Sequence, residues 1–296
     1  MIKESIGSEI SEQDLTIAKE NLIILPRVSI GISSIMSLDS SEGRCWNVPD
    51  DWFQSWFNRH YINVYSHRTT EEAEKFVNNW QIWDKVKPGQ WCLDLGCGSG
   101  RYSKLIARRG IRVFAIDLSV DLLILAKSDS TNHLQTYFIR GDMRHIPSQG
   151  LFNLILSLFT SFGYFQDDNE HRRILETISS LLAPDGIFIL DIPNKIPTIS
   201  HVAENSVSER EIEGCTVRET RRWDNVRNVV EKKIEIIKDM RKETFFESVR
   251  LFSLNEISEM LLTAGIKLIQ PPWGDYSGAR LSTTSPRMIF FGATNV

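Results

Sequence analysis

From Val86 onward the apolar positions of this chain fall into short runs separated by stretches of helical spacing. The runs Trp91–Leu95, Arg112–Ile116, Thr136–Ile139, Phe152–Leu158 and Ile187–Ile192 read as strands. Between them, Tyr102–Ile106, Val120–Lys127 and Asn169–Leu182 read as helices. Such alternation predicts a parallel sheet with helices on both faces. Turn chemistry agrees: Lys87-Pro88-Gly89 precedes the first strand, and Pro184-Asp185-Gly186 precedes the fifth.

Two regions break the rhythm. Upstream, Trp52, Phe53, Trp56, Phe57, Tyr61 and Tyr65 recur at helical spacing, and Glu71–Trp83 continues as an amphipathic helix. Downstream, residues 193–205 read as a Pro/Ser/Asn-containing loop. From Val207 to Leu251 polar and apolar residues then alternate, with turns at Asp224-Asn225 and Lys238-Asp239-Met240. That pattern predicts three antiparallel strands, Val217–Trp223, Val229–Ile237 and Phe245–Leu251. Helical spacing returns over Leu254–Ala264, where Ser253 and Glu256 are spaced as a capping box and Gly265 marks the end. Ile266–Ile269 and Met288–Gly292 complete the strands. The first 48 residues carry the weakest pattern: Ser11 and Asp14 are placed to cap a helix over roughly Glu12–Ile24, and Gly31–Gly43 reads as a loop. The expected organisation is an extension (1–48), a main domain (49–192 and 252–296) and an inserted antiparallel lid or substrate subdomain (193–251). A dimerisation surface is the alternative use of that insert, and a lid or swapped arm the alternative use of the extension.

The chemistry concentrates in Trp91–Ser103, WCLDLGCGSGRYS. A strand that passes through glycines into a helix offers backbone N–H groups and the positive helix end to a ligand. Its G-x-G-x-G spacing lacks the third glycine of the dinucleotide pattern. Asp94, two residues before Gly96, would repel a pyrophosphate and suits a ligand that carries positive charge. About 20 residues further on, Asp117 ends the second strand, where an alternating fold presents a carboxylate to ribose hydroxyls.

These residues resemble the first motif of the class I S-adenosylmethionine-dependent methyltransferases, hydrophobic-D-x-G-x-G-x-G. The resemblance runs roughly from Trp52 to Ala293. It includes the L-L-A-P-D-G-I segment from Leu181 and the G-D-Y-x-G and S-P-R-M-I tail of a bacterial small-molecule-type subfamily. It implies an α/β fold, a Rossmann-like seven-stranded sheet with its last strand antiparallel, and S-adenosyl-L-methionine as cofactor. The cofactor contacts it implies are Tyr65, Arg68, Asp94, Gly96, Cys97, Gly98, Asp117, Leu118, Gly141, Asp142, Met143, Leu158 and Phe159. Tyr61, Phe162, Tyr164, Arg221 and Trp223 are the candidate substrate contacts. His67, His145 and Tyr164 are candidate general bases, with none assigned.

Composition narrows the picture further. The 296 residues are 42% hydrophobic and 24% charged, as in an ordinary globular protein, with a net charge of −4. No overall basic surface invites nucleic acid, and the strand-four segment Ser157–Phe165 lacks the Asn/Asp-Pro-Pro-Tyr element of base N-methyltransferases. Four cysteines show no CxxC pairing and no metal-ligand spacing, so a cytoplasmic setting and no metal are expected. Neither a secretory signal nor a membrane span is read. The expectation is methyl transfer by in-line displacement to O, N or C of a small molecule, a secondary metabolite by resemblance. The aromatic clusters (Trp223, Phe245 and Phe246; Phe159, Phe162, Tyr164 and Phe165) suggest a hydrophobic or planar acceptor. An RNA or protein methyltransferase, or a non-methylating cofactor binder, stays open as an alternative, as does a homodimer.

Overall fold

The computed structural model describes residues 23–24, 46–65, 70–128, 135–146 and 151–294. The main sheet contains β1 (Ile23–Ile24), β2 (Trp91–Leu95), β3 (Arg112–Asp117), β4 (Thr136–Arg140), β5 (Phe152–Ser157), β6 (Leu182–Pro193), β11 (Lys267–Leu268) and β12 (Arg287–Ala293). Its order is β1-β4-β3-β2-β5-β6-β12-β11. All neighbours pair parallel except β12, which runs antiparallel to both β6 and β11. This is the expected seven-stranded sheet, extended at one edge by two residues of the N-terminal segment. Ile23 and Ile24 are therefore strand rather than the end of a helix; the rest of that expected helix, and Gly31–Gly43, lie outside the described residues. A free edge on β4 offers unpaired N–H and C=O groups, which an extended segment satisfies and a helix does not.

Helices cover both faces, as the alternation requires. On one face α1 (Trp52–Trp56) and α6 (Asp168–Leu181) share a core with the inner side chains of the sheet, including Leu93, Ile155 and Phe290. On the other, α3 (Thr70–Asn79) and α4 (Arg101–Ala107) pack Phe76, Val77 and Ile106 against Val113 and Phe291. α2 (Arg59–Val64) follows α1 and reaches α5 (Val120–Ser128). α8 (Leu254–Thr263) starts on the expected capping box, both halves of which form.

Three expectations need correction. Residues 195–204 are a helix, α7 (Lys195–Glu204), not a loop. Pro197 sits in its first turn, where a backbone N–H has no helical partner to lose. The inserted sheet has four strands, β7 (Val207–Ile212), β8 (Cys215–Asp224), β9 (Val229–Lys238) and β10 (Arg241–Arg250), in the order β10-β9-β8-β7. β7 is an edge strand whose side chains are at least partly exposed throughout, so its apolar alternation is faint. The Pro184-Asp185-Gly186 turn is a kink inside β6, with Asp185 at φ 61° and a register shift against β5.

In addition, α3 stops at Asn79. Beyond it Trp80 stacks on Trp83, 5.6 Å between ring centroids, and the Trp83 indole N–H donates to the Val77 carbonyl. Aromatic packing there supersedes helical continuation. Among the described residues no helix is long and apolar enough to cross a membrane.

Candidate active site

The carboxyl ends of β2, β3 and β5 and the loop after β4 surround a cavity of about 350 Å³, roofed by Phe53 and Phe57 of the α1 region and by Tyr61 and Tyr65 of the α2 region. Asp94, on β2, is 2% exposed and accepts a 2.5 Å hydrogen bond from the Ser103 hydroxyl of α4. Burial, reinforced by the neighbouring Asp117 charge, pushes its pKa up to about 6 against the pull of Ser103. Past β2 the chain turns sharply: Gly96 and Cys97 N–H both donate to the Ile116 carbonyl, at 2.9 and 3.0 Å. Gly96 lies at φ +69°, and a Cβ there would sit 2.6 Å from the Ser161 hydroxyl. Gly98, at φ +55°, is different. An added Cβ would meet nothing nearer than Leu122 at 4.0 Å and would project into the cavity it lines.

Asp117 does more than end β3. Its carboxylate accepts from Gly98 N–H at 2.7 Å and from Ser119 N–H at 2.8 Å, so it fixes the glycine turn from the adjacent strand. Burial raises its pKa, and those backbone hydrogen bonds oppose the rise. The Ser119 hydroxyl caps α5 by accepting from Leu122 N–H at 3.1 Å and donates to the Phe57 carbonyl, which ties the α1 cap to the cavity rim.

At the end of β5, Phe159 and Thr160 are consecutive non-glycine residues with positive φ, 57° and 69°. Such conformations persist where surrounding bonds over-determine them, and here Asp191 supplies those bonds. The fully buried Asp191 takes the Phe159 N–H at 2.9 Å, while its own carbonyl takes the Thr160 N–H at 3.2 Å. The same carboxylate accepts from Tyr276 O–H at 2.9 Å and Arg287 Nε at 2.7 Å.

A second cavity of about 220 Å³ adjoins the first, bounded by the cap helices, the turn after β5 and the inserted sheet. Phe57, Tyr61, Tyr65, Phe159 and Tyr164 line both, while Thr160, Lys232, Glu247 and Arg287 belong to the second only. Glu247 accepts from Trp56 Nε1 at 2.6 Å and Tyr65 O–H at 2.9 Å, and pairs with Lys232 at 2.8 Å. Burial raises its pKa, but the Lys232 charge and these hydrogen bonds outweigh that and hold it below the ordinary carboxylate range.

Of the expected cofactor contacts, Tyr65, Asp94, Gly96, Cys97, Gly98, Asp117, Leu118, Gly141, Met143, Leu158 and Phe159 line the first cavity. Asp142 does not: its carboxylate is engaged by Arg144, which also reaches Glu170. Arg68 and His67 lie outside the described residues. Among the substrate candidates Tyr61 and Tyr164 line both cavities. Phe162 is instead core, packed on His171 and Phe252. Arg221 bonds Glu219 and Ser208, and Trp223 lies beneath Lys195, so neither forms cavity wall. His145 is exposed and off the cavity. Phe245 and Phe246 pack on Trp56 and Trp46. Sequence reading missed Asp191, Tyr276, Lys232, Glu247 and Arg287. For Tyr276 and Arg287 the G-D-Y-x-G and S-P-R-M-I tail segments were a signal, but Asp191, Lys232 and Glu247 come from strands whose meeting is tertiary.

A buried carboxylate (Asp94), a half-buried one (Asp117), a glycine with an open face and an apolar wall fit a cation-bearing nucleoside and disfavour a phosphate. Fold and site together define an α/β protein with a ligand-sized cavity at the carboxyl ends of its parallel strands. Residues 92–186 match the sequence family described as a methyltransferase domain. The Bacillus subtilis protein YqeM, itself named only as a candidate methyltransferase, is 23% identical over 202 residues, 67% of this chain and 81% of YqeM. Other curated methyltransferases match over about half their own length. An S-adenosylmethionine-dependent methyltransferase from Clostridium acetobutylicum superposes with a TM-score of 0.69 at 17% identity, over 80% of this chain and 97% of that one. CalS10, an amino pentose methyltransferase from Micromonospora echinaspora solved with S-adenosylmethionine bound, gives 0.56 at 18% identity over 80% and 97%. Residues 92–186 thus match a methyltransferase domain, and the superpositions show that the chain shares the fold of these S-adenosylmethionine-dependent methyltransferases.

Proposed function

We propose that this enzyme methylates an oxygen, nitrogen or carbon atom of a small polar molecule, a secondary metabolite in the preferred reading. One observation carries the proposal: two cavities of about 350 and 220 Å³ meet at Tyr65, Phe159 and Tyr164. The first has the size of a nucleoside site. The second falls below the roughly 300–1,000 Å³ of a drug-sized pocket and suits a small acceptor or one arm of a larger one. In this reading the cofactor is S-adenosylmethionine, whose sulfonium would supply an activated methyl carbon, so the protein's work is alignment and exclusion of water.

In this reading Asp117 holds the ribose hydroxyls, and Asp94 faces the cationic end of the cofactor. Gly98 admits its backbone-close approach, and Leu118 and Met143 cover the base. The acceptor sits under β9 and β10, which makes residues 193–251 the substrate subdomain. Its walls combine Lys232, Glu247, Arg287 and Thr160 with Trp52, Phe57, Tyr61 and Tyr164, which supports a polar acceptor that also offers a hydrophobic or planar face, as the aromatic count suggested. The naming of CalS10 as an amino pentose methyltransferase supports the same class. Free thiols at Cys92, Cys97 and Cys215 support a reducing, cytoplasmic setting. The test is transfer of tritium from methyl-labelled cofactor to a panel of amino sugars, amino acids, phenols and hydroxy acids, with tRNA and protein controls. Label only in the macromolecular controls overturns the reading.

A further inference from the structure

We propose that Tyr65 and Glu247 form a proton relay that serves as the general base of methyl transfer, with Lys232 setting its direction. The inference rests on the small-molecule reading above and goes beyond it by requiring that the acceptor atom carry a proton.

The argument starts from which groups can only donate. An indole N–H and an ammonium have no acceptor capacity, so Trp56 Nε1 at 2.6 Å and Lys232 Nζ at 2.8 Å fix Glu247 as the acceptor of both. Lys232 Nζ also donates to the Tyr65 hydroxyl oxygen. With that donation fixed, the phenolic proton points to Glu247, 2.9 Å away. The indole hydrogen, the phenolic hydrogen and two of the three ammonium hydrogens are thereby assigned, and the arrow of donation runs Lys232 to Tyr65 to Glu247.

Position supplies the second half. Tyr65 lines both cavities, whereas Lys232 and Glu247 line only the acceptor cavity. The phenol oxygen therefore stands on the acceptor side of the boundary across which the methyl group passes. Bound S-adenosylmethionine would supply the methyl carbon to an acceptor N–H or O–H and would keep the electron pair of the broken carbon–sulfur bond on sulfur. The acceptor's proton goes to the Tyr65 oxygen, and the phenolic proton moves to Glu247. One proton leaves the acceptor and one arrives at the carboxylate. Among the described residues, Glu219, at 3.6 Å from Lys232, and Arg287, on the same cavity wall, also face the cluster. The rings of Trp56 and Tyr61 pack against Tyr65, at 6.3 and 4.8 Å between centroids, and hold the phenol in place.

Glu247 also fastens the roof, since Trp56 and Tyr65 come from the cap and the carboxylate from β10. A fastening role alone would move affinity and leave turnover intact. The test compares wild type, Tyr65→Phe, Glu247→Gln and the double variant. Cofactor affinity is read by calorimetry, and kcat by tritium transfer to the panel member that wild type uses fastest. Both single variants should lose kcat by roughly 10²–10⁴-fold, and Glu247→Gln should bind cofactor within about threefold of wild type. The double variant should be no slower than the slower single, because groups acting as one unit do not multiply. A single variant that keeps kcat within about threefold overturns the relay, as does a double variant whose losses multiply. Should Glu247→Gln not fold, Tyr65→Phe decides alone. Wild type that labels no small acceptor is a separate result: it removes the small-molecule reading and, with it, the relay.

Discussion

Cofactor affinity should depend on pH through Asp94. In the ligand-free protein this carboxyl is raised from 3.8 to about 6, chiefly by burial. A shift of about 2 units is worth about 3 kcal/mol. The folded state holds the proton more tightly than the unfolded chain does. The ligand-free protein is therefore more stable with Asp94 protonated, and it loses up to that amount as pH rises from about 4 to 6. A cationic group bound beside Asp94 reverses the preference. It pulls the pKa down, so binding releases a proton wherever the free protein still holds one. Affinity should then climb with pH, by at most about tenfold per unit below pH 6, and level off above it. Calorimetry from about pH 5 to pH 8, in two buffers of different ionisation enthalpy, measures both the slope and the proton count. Asp94→Asn should bind weakly and without slope, while its ligand-free form gains stability because an amide still accepts from Ser103. An affinity flat across this range, or proton uptake on binding, would refute the placement of Asp94 against the cofactor's positive charge. A slope that survives in Asp94→Asn would move the titration to Asp117, whose pKa burial also raises.

The two central glycines should separate folding from binding. Gly96→Ala, with its Cβ 2.6 Å from the Ser161 hydroxyl and positive φ besides, should cost about 2–5 kcal/mol of stability, seen as a lowered thermal midpoint. Gly98→Val has open space around its Cβ, so it should fold with a loss nearer 1–2 kcal/mol yet bind no cofactor; saturation in calorimetry would sink that geometry. Asp117→Ala should weaken cofactor binding by about 1.5–3 kcal/mol and also destabilise the glycine turn, since two backbone N–H groups lose their acceptor; unchanged affinity refutes the ribose role. Asp191→Ala leaves Arg287 without its carboxylate and frees the Phe159–Thr160 turn, so stability should fall by about 3–5 kcal/mol. A thermal midpoint equal to wild type would show that this hub is not what holds the turn.

The alternation of apolar runs and helical spacing was enough to specify the doubly wound sheet, because burial on both faces writes itself into contiguous residues. Asp94, Gly96, Gly98 and Asp117 were legible as one group for a related reason: one strand–turn–helix and the end of the next strand carry that whole wall of the first cavity. The second cavity was not legible. Trp56, Tyr65, Lys232, Glu247 and Arg287 lie on the cap, two strands of the insert and the last strand, and no local period links them. The aromatic count misled at Phe162, Phe245 and Phe246 because composition does not say which face of a packed ring meets a cavity. Helix α7 and edge strand β7 escaped because one begins through a proline and the other is exposed along its length. Sequence thus determined the scaffold and the half of the site built from neighbours in the chain. Tertiary packing decided the other half, since a charge-and-hydrogen-bond cluster comes into being only when distant elements bring donors and acceptors within 3 Å.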